Sequence, residues 1–184
     1  FLFRRTAVQT LHALDCNKAF FAFRQVRPFD VALVRASVEA FSMFFISLFI
    51  LGAAAMLGLD VLPDDPLKAL SALVGLWLFG LGYGLVTSVC MRLVPDSGHI
   101  FQILMMPLYL ISGVIMPLIF IPVPYRDWML WNPLVHGLEL VRLGFFNTYH
   151  TLDVSFSYLY SWVLGSIALG LLLYRGLETR LVTQ

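Results

Sequence analysis

The sequence predicts an all-α membrane protein, a multi-spanning helical bundle with short re-entrant helices on one side. Composition is the first observation: 60% of the 184 residues are hydrophobic and 12% are charged, about half the charged share of an average soluble domain. The second is the spacing of the charges. They leave uncharged runs at residues 40–59, 69–91, 100–125 and 154–174, each long enough for a helix rising 1.5 Å per residue to cross a hydrocarbon core of about 30 Å. A mean hydropathy of +0.85 agrees with both. The net charge of +1 gives no reason to expect a nucleic-acid partner.

Residues 1–16 read as the end of a truncated span, because Arg4 and Arg5 come too early for the opening apolar residues to cross alone. The chain opens on Phe1 rather than Met and is expected to continue a longer, N-terminally truncated polypeptide. Residues 17–30 form the most basic stretch, with Lys18, Arg24 and Arg27 among Phe20, Phe21, Phe23 and Phe29. Spacings of three and four put Phe20, Phe23 and Arg27 on one side of a short helix. Pro28 ends it, lacking an N–H and disfavouring helix at Arg27. Asp30 then caps the next helix. Such an element lies in lipid headgroups, is gripped by a cytoplasmic partner, or only sets topology.

The first complete span is expected over 31–59, with Arg35 and Glu39 four apart at its entrance and able to pair. The second covers 66–91, capped by Asp65 with Pro66 at its first position. Within it Gly80 and Gly84 form a GxxxG pair that admits a neighbouring helix closely. No strand precedes these glycines, so they do not read as a nucleotide loop. A third span is expected over 98–122, kinked near Pro107 and leaving through a proline-rich exit.

Residues 125–147 differ, because their apolar pieces are too short to cross. Asn132 and Pro133 supply a cap and first residue. His136, Glu139 and Arg142 then recur every three residues along one flank, which suits a re-entrant or interfacial helix. A catalytic reading makes Glu139 a base beside His136. A structural reading makes the ionisable groups a water-facing ion pair that steadies the helix. Trp128 and Trp131 suit either interfacial anchors or platforms for sugar rings. A last span covers 154–174, and 175–184 is a polar tail.

With four spans the loops alternate. One side holds Arg4, Arg5, Lys18, Arg24, Arg27, Arg35, Arg92, Arg175 and Arg180, and the other Lys68, Arg126 and Arg142. That bias puts the basic element and the tail in the cytoplasm, where Cys16 and Cys90 stay reduced. The two cysteines have no metal-ligand spacing. No GxxxxGK[ST], HExxH or GxSxG occurs, so neither ATP hydrolysis nor a familiar hydrolase centre is expected in this chain. An ion channel should show charged rings within a span, and the runs here are uncharged.

Four stretches taken together are similar to a known family: NKAFFAFRQVRPFDVALVRASVE at 17–39, LYLISGVIMPLIFIP at 108–122, WNPLVHGLELVR at 131–142 and LYRGLE at 173–178. In this order they resemble the membrane subunits of polysaccharide-exporting ABC transporters, the ABC-2 permeases, and most of all those of capsule export. The resemblance implies a six-span, multi-pass permease of the bacterial inner membrane, working as a homodimer with two ATPase subunits. ATP and Mg would sit on those subunits, with no cofactor and no catalytic residue in this chain. Lys18, Phe20, Phe23, Arg24 and Arg27 would belong to the coupling element that docks on the ATPase. Residues 125–147 would be re-entrant helices at the periplasmic mouth, bringing Trp128, Trp131, His136, Glu139 and Arg142 to the path of a lipid-linked polysaccharide. Periplasmic co-export proteins are further partners that the resemblance admits. Related exporters of O-antigen or teichoic acid are the nearest alternative. A membrane-embedded acyl- or glycosyltransferase is the alternative of another class, for which His136 and Glu139 are the sole candidate residues.

Overall fold

In the computed structural model, residues 1–16, 26–94, 96–146, 149 and 153–177 are described. Among them there is no strand. The helices are α1 (Leu2–Leu11), α2 (Ala13–Cys16), α3 (Pro28–Met56), α4 (Pro66–Leu93), α5 (Ser97–Leu110), α6 (Val123–Met129), α7 (Pro133–Phe145) and α8 (Phe156–Gly176), with a 3₁₀ turn at Leu118–Phe120. Three of them, α3, α4 and α8, are long and apolar enough to cross a membrane.

Where the helices start follows from local chemistry. Asp65 accepts a bond from the Lys68 N–H and its side chain lies 3.0 Å from the Lys68 ammonium, with Pro66 in the first turn of α4. Asn132 accepts from the Leu134 N–H at 3.0 Å and heads α7. At α3 the expected cap moves. Pro28 is itself the first helical residue, and Asp30, inside the first turn, reaches back to the Arg27 N–H at 3.3 Å. Proline at the first position sacrifices no helical bond, so the helix starts three residues earlier than a cap at Asp30 requires.

Residues 98–122, expected as one span, are built differently. α5 has 14 residues, about 21 Å at 1.5 Å each, short of a hydrocarbon core. Gly113 then takes a φ of +78°, a left-handed conformation open to glycine at little cost. Pro117 precedes the 3₁₀ turn. Pro107 stays inside α5, and the run is divided further on, at Gly113 and Pro117, rather than carried through as one kinked helix.

The chain forms two compact units. The first comprises Phe1–Phe41, Trp77–Met105 and Val163–Gln184. Its core joins Ala13 and Leu14 of α2, Ala32 and Ala36 of α3, Leu81, Leu85 and Val89 of α4, and Tyr174 of α8. Small residues set the spacing. A Cβ added at Gly84 would lie 2.4 Å from Thr10 Cβ of α1, and one at Gly80 would lie 2.9 Å from the Phe3 carbonyl. Gly82 points the other way and would strike Ser166 of α8. Polar bonds tie the same elements. Trp77 Nε1 donates to the Ala36 carbonyl at 2.9 Å, and the hydroxyls of Ser88 and Tyr174 meet at 2.7 Å. Glu39 pairs with Arg5 of α1 at 3.0 Å, while Arg35 donates to Gln9. The expected Arg35–Glu39 pair within α3 is thus replaced by two bonds to α1.

The second unit comprises Ser42–Leu76 and Met106–Trp162. Here α7 lies against the first half of α4. Gly144 approaches Ala69 so closely that a Cβ would come within 2.6 Å of its backbone nitrogen, and the Asp65 N–H donates to the Gly144 carbonyl at 2.9 Å. Ala72, Leu140 and Leu159 form the buried cluster. Tyr160 Oη donates to the Ser71 carbonyl, fixing the start of α8 to α4.

Candidate functional site

The residues singled out in 125–147 fall in the second unit, in three surroundings. Glu139 is fully buried on α7. Its Oε1 accepts from Arg142 Nη1 at 2.5 Å and from the Leu118 N–H at 3.2 Å, and its Oε2 accepts from Tyr149 Oη at 2.5 Å. Arg142 also donates through Nη2 to the carbonyls of Gly113, at 2.7 Å, and Val114, at 3.4 Å. The expected water-facing ion pair is therefore an inward one. A carboxylate at this depth needs a counter-charge and several donors to offset its lost hydration, and it has them. Burial and the Glu139 bond push the Tyr149 hydroxyl up to about 12, so it stays a donor.

The network has a structural logic. Between α5 and α6 the chain abandons α-helix, and the backbone groups of the break lose their helical partners. Away from water each needs another partner. Arg142 supplies donors to two carbonyls of the break, and Glu139 supplies an acceptor to one of its N–H groups. Asn132 adds a third tie, its Nδ2 donating to the Leu108 carbonyl at 3.2 Å.

His136 belongs to a separate set. Its Nδ1 accepts from the Ser155 N–H at 3.1 Å, which makes Nε2 the protonated nitrogen donating to the Leu130 carbonyl at 2.8 Å. Its ring lies 4.5 Å from that of Tyr158. Burial lowers its pKa, against the pull of the Leu130 carbonyl. Both imidazole nitrogens are engaged with backbone, and Glu139 is engaged elsewhere, so the acid–base pair imagined from the spacing is not assembled. Arg126 pairs with Asp153 and joins α6 to the approach of α8. Among the described residues no group of three acidic, His or Cys side chains could hold a metal.

Trp128 and Trp131 are the opposite case, 75% and 81% exposed. Trp131 is nonetheless fixed, because its carbonyl accepts from Tyr158 Oη at 2.8 Å. Tyr125 packs edge-on against Trp128 at 6.2 Å. These rings form an outward aromatic surface on elements held from behind.

Of the residues expected to form a coupling element, Lys18, Phe20, Phe23 and Arg24 lie outside the described residues. Arg27 stands immediately before α3, its N–H engaged by Asp30. Sequence reasoning missed Tyr149, the Leu118 N–H and the Gly113 and Val114 carbonyls. A signal existed: an uncharged run broken by prolines must find partners for freed backbone groups, and Glu139 and Arg142 are the nearby side chains long and polar enough to serve.

Comparison with known proteins adds the following. The ABC-2 type transporter family matches residues 19–146. The chain is 31% identical over all 184 residues to the polysialic acid transport protein KpsM of Escherichia coli, of which it covers 71%. It is 26% identical over 148 residues to the capsule polysaccharide export inner-membrane protein CtrC of Neisseria meningitidis serogroup B, covering 80% of this chain and 56% of that one. It is 23% identical over 174 residues to the capsule polysaccharide export inner-membrane protein BexB of Haemophilus influenzae, covering 95% and 66% respectively.

Proposed function

The chain belongs to the ABC-2 type transporter family, and we propose that it is the permease subunit of an ATP-driven exporter of capsular, lipid-linked polysaccharide. The correspondence with a polysialic acid transport protein along the whole of this chain carries the reading. The three long apolar helices place it in the membrane, as expected for the multi-pass inner-membrane subunit of a capsule export system. Hydrolysis of ATP, with its Mg, belongs to a separate ABC ATPase, of which two copies serve a permease homodimer. Periplasmic co-export proteins continue the path.

Within this reading each group of residues has a task. Lys18, Phe20, Phe23, Arg24 and Arg27 dock on the ATPase from the cytoplasmic side; α5 and the non-helical run after it together make a fourth crossing, so the C-terminus lies on that side too. α6 and α7, about 10 and 20 Å long, are too short to cross and form re-entrant helices at the periplasmic mouth. The exposed rings of Trp128 and Trp131 offer flat apolar faces on which sugar rings stack as the polymer passes. Glu139, Arg142 and His136 line this path from behind and hold its shape. A helix break so braced presents a fixed rim, and a polymer moving past many equivalent positions needs contacts that are weak and repeated.

The test is complementation. In a bacterium lacking its capsule export permease, the full-length protein bearing this chain should return polymer to the cell surface, supplied with its own ATPase. Trp128→Ala with Trp131→Ala should insert normally and export less. Polymer that stays inside cells containing the assembled complex refutes the reading.

A further inference from the structure

The first unit carries a feature that the export reading does not use. Residues 12–15, immediately before the 17–25 segment, are fastened three ways. Ala13 and Leu14 are buried against Leu85 and Val89 of α4. His12 Nε2 meets Gln102 Nε2 of α5 at 2.7 Å. Asp15 Oδ1 accepts from Arg92 Nη1 at 2.8 Å, and the Arg92 side chain, in the last turn of α4, is only 8% exposed. On its far side the segment leads into α3, whose Ala32 and Ala36 enter the same core and whose Ala36 carbonyl holds Trp77 of α4.

These ties are not equivalent. Apolar side chains keep most of their contact when one helix slides a fraction of a turn along another, because the hydrophobic effect has no direction. A charge-assisted hydrogen bond from a largely buried guanidinium is directional and tolerates little displacement. It therefore fixes the position of α2 along the axis of α4. We infer that the Asp15–Arg92 ion pair is the link through which displacement of the 17–25 segment is passed to α4. Asp15 and Arg92 are positioning residues, acting through the helices they join. The inference rests on the reading of 17–25 as the ATPase-docking element, and its test separates the two.

The test uses full-length permease in complex with its ATPase, measuring ATP hydrolysed per polymer exported. Asp15→Asn and Arg92→Gln should each assemble with the ATPase at parental level yet raise that ratio roughly tenfold or more, within the range of energetic coupling between linked sites. Asp15→Arg combined with Arg92→Asp should recover most of the loss. In a background without Cys16 and Cys90, Asp15→Cys with Arg92→Cys should behave like the single variants until a short bifunctional thiol reagent joins the two positions, and then regain coupling. A residue that merely stabilises the fold would lower assembly and leave the ratio unchanged. Parental ratios in the single variants overturn the inference. So does loss of coupling on crosslinking, or loss of every variant from the membrane, which makes the pair a folding requirement. The docking reading is judged separately, by recovery of ATPase with Phe20→Ala and Phe23→Ala. Undiminished recovery there refutes docking, whereas reduced recovery beside a parental ratio in Asp15→Asn refutes the link alone.

Discussion

Replacing Glu139 by Gln tests whether the short helix is held from within. The carboxylate is fully buried and accepts from Arg142, Tyr149 and the Leu118 N–H. Glutamine has nearly the same shape but brings an NH₂ group to one side and no charge. One of the three donors then faces another donor, and Arg142 is left without its counter-charge beside the Gly113 carbonyl. Breaking a buried pair by removing one partner costs about 3–5 kcal/mol. The Arg142 side chain is 20% exposed and recovers some hydration, so the lower figure of about 3 kcal/mol is expected, roughly a hundredfold in the folding equilibrium. Arg142→Gln leaves the fully buried Glu139 carboxylate without its counter-charge and should cost nearer the upper figure, about 5 kcal/mol. The double variant leaves no unpaired charge and should cost clearly less than the sum, with a coupling energy of about 2 kcal/mol. Reversible unfolding of the purified full-length permease in a fixed detergent, followed by tryptophan fluorescence, gives the four values. A loss under about 1 kcal/mol in Glu139→Gln, or additive single variants, would refute a buried network that holds the helix break.

Three further outcomes are expected. Gly84→Leu should destabilise the protein by about 1–3 kcal/mol, the usual cost of overpacking, because its Cβ meets Thr10 at once; an unchanged unfolding midpoint would show that α1 and α4 do not meet there. In a background without Cys16 and Cys90, a cysteine at Asp64 should react with an impermeant thiol reagent in intact cells and one at Thr183 only after permeabilisation, and the reverse pattern would invert the topology. Phe20→Ala with Phe23→Ala should lower ATPase co-purification roughly thirtyfold if the two rings anchor an interface worth about 2 kcal/mol; full recovery would leave the segment in the lipid headgroups.

The parts of this fold that were legible in the sequence are those fixed by neighbours along the chain. Asp65–Pro66 and Asn132–Pro133 announce helix starts because a cap acts over two or three residues. Long uncharged runs announce α3, α4 and α8 because hydrophobic length is itself the physical requirement. The Arg35–Glu39 expectation failed for the complementary reason. Spacing of four makes a pair possible, but α1 brings Arg5 to Glu39 and Gln9 to Arg35, and tertiary partners of that kind leave no mark on local spacing. The third span was misjudged through Gly113, whose left-handed backbone ends what hydropathy alone reads as continuous.

Hydropathy is blind in a second way, to what covers an apolar helix. α3 and α4 are about equally apolar, yet 6% of the most apolar stretch of α3 is buried against 56% of that of α4. The difference lies in the small residues. α4 carries Gly75, Gly80, Gly82 and Gly84, at each of which an added Cβ would meet a neighbouring element, while Gly52 of α3 has open space around it. α3 instead displays Phe41, Phe44, Leu48 and Phe49 outward. In lipid there is no hydrophobic gain from joining two apolar helices, so close packing falls to the helix whose backbone can be approached. Bulky exposed side chains on α3 lose nothing against hydrocarbon, which is as apolar as they are. The two helices therefore differ in how they pack: α4 draws its neighbours close at its glycines, and α3 keeps its phenylalanines on the outside of this chain. Its polar contacts with α1 lie at the other end, where Arg5 and Gln9 reach Glu39 and Arg35.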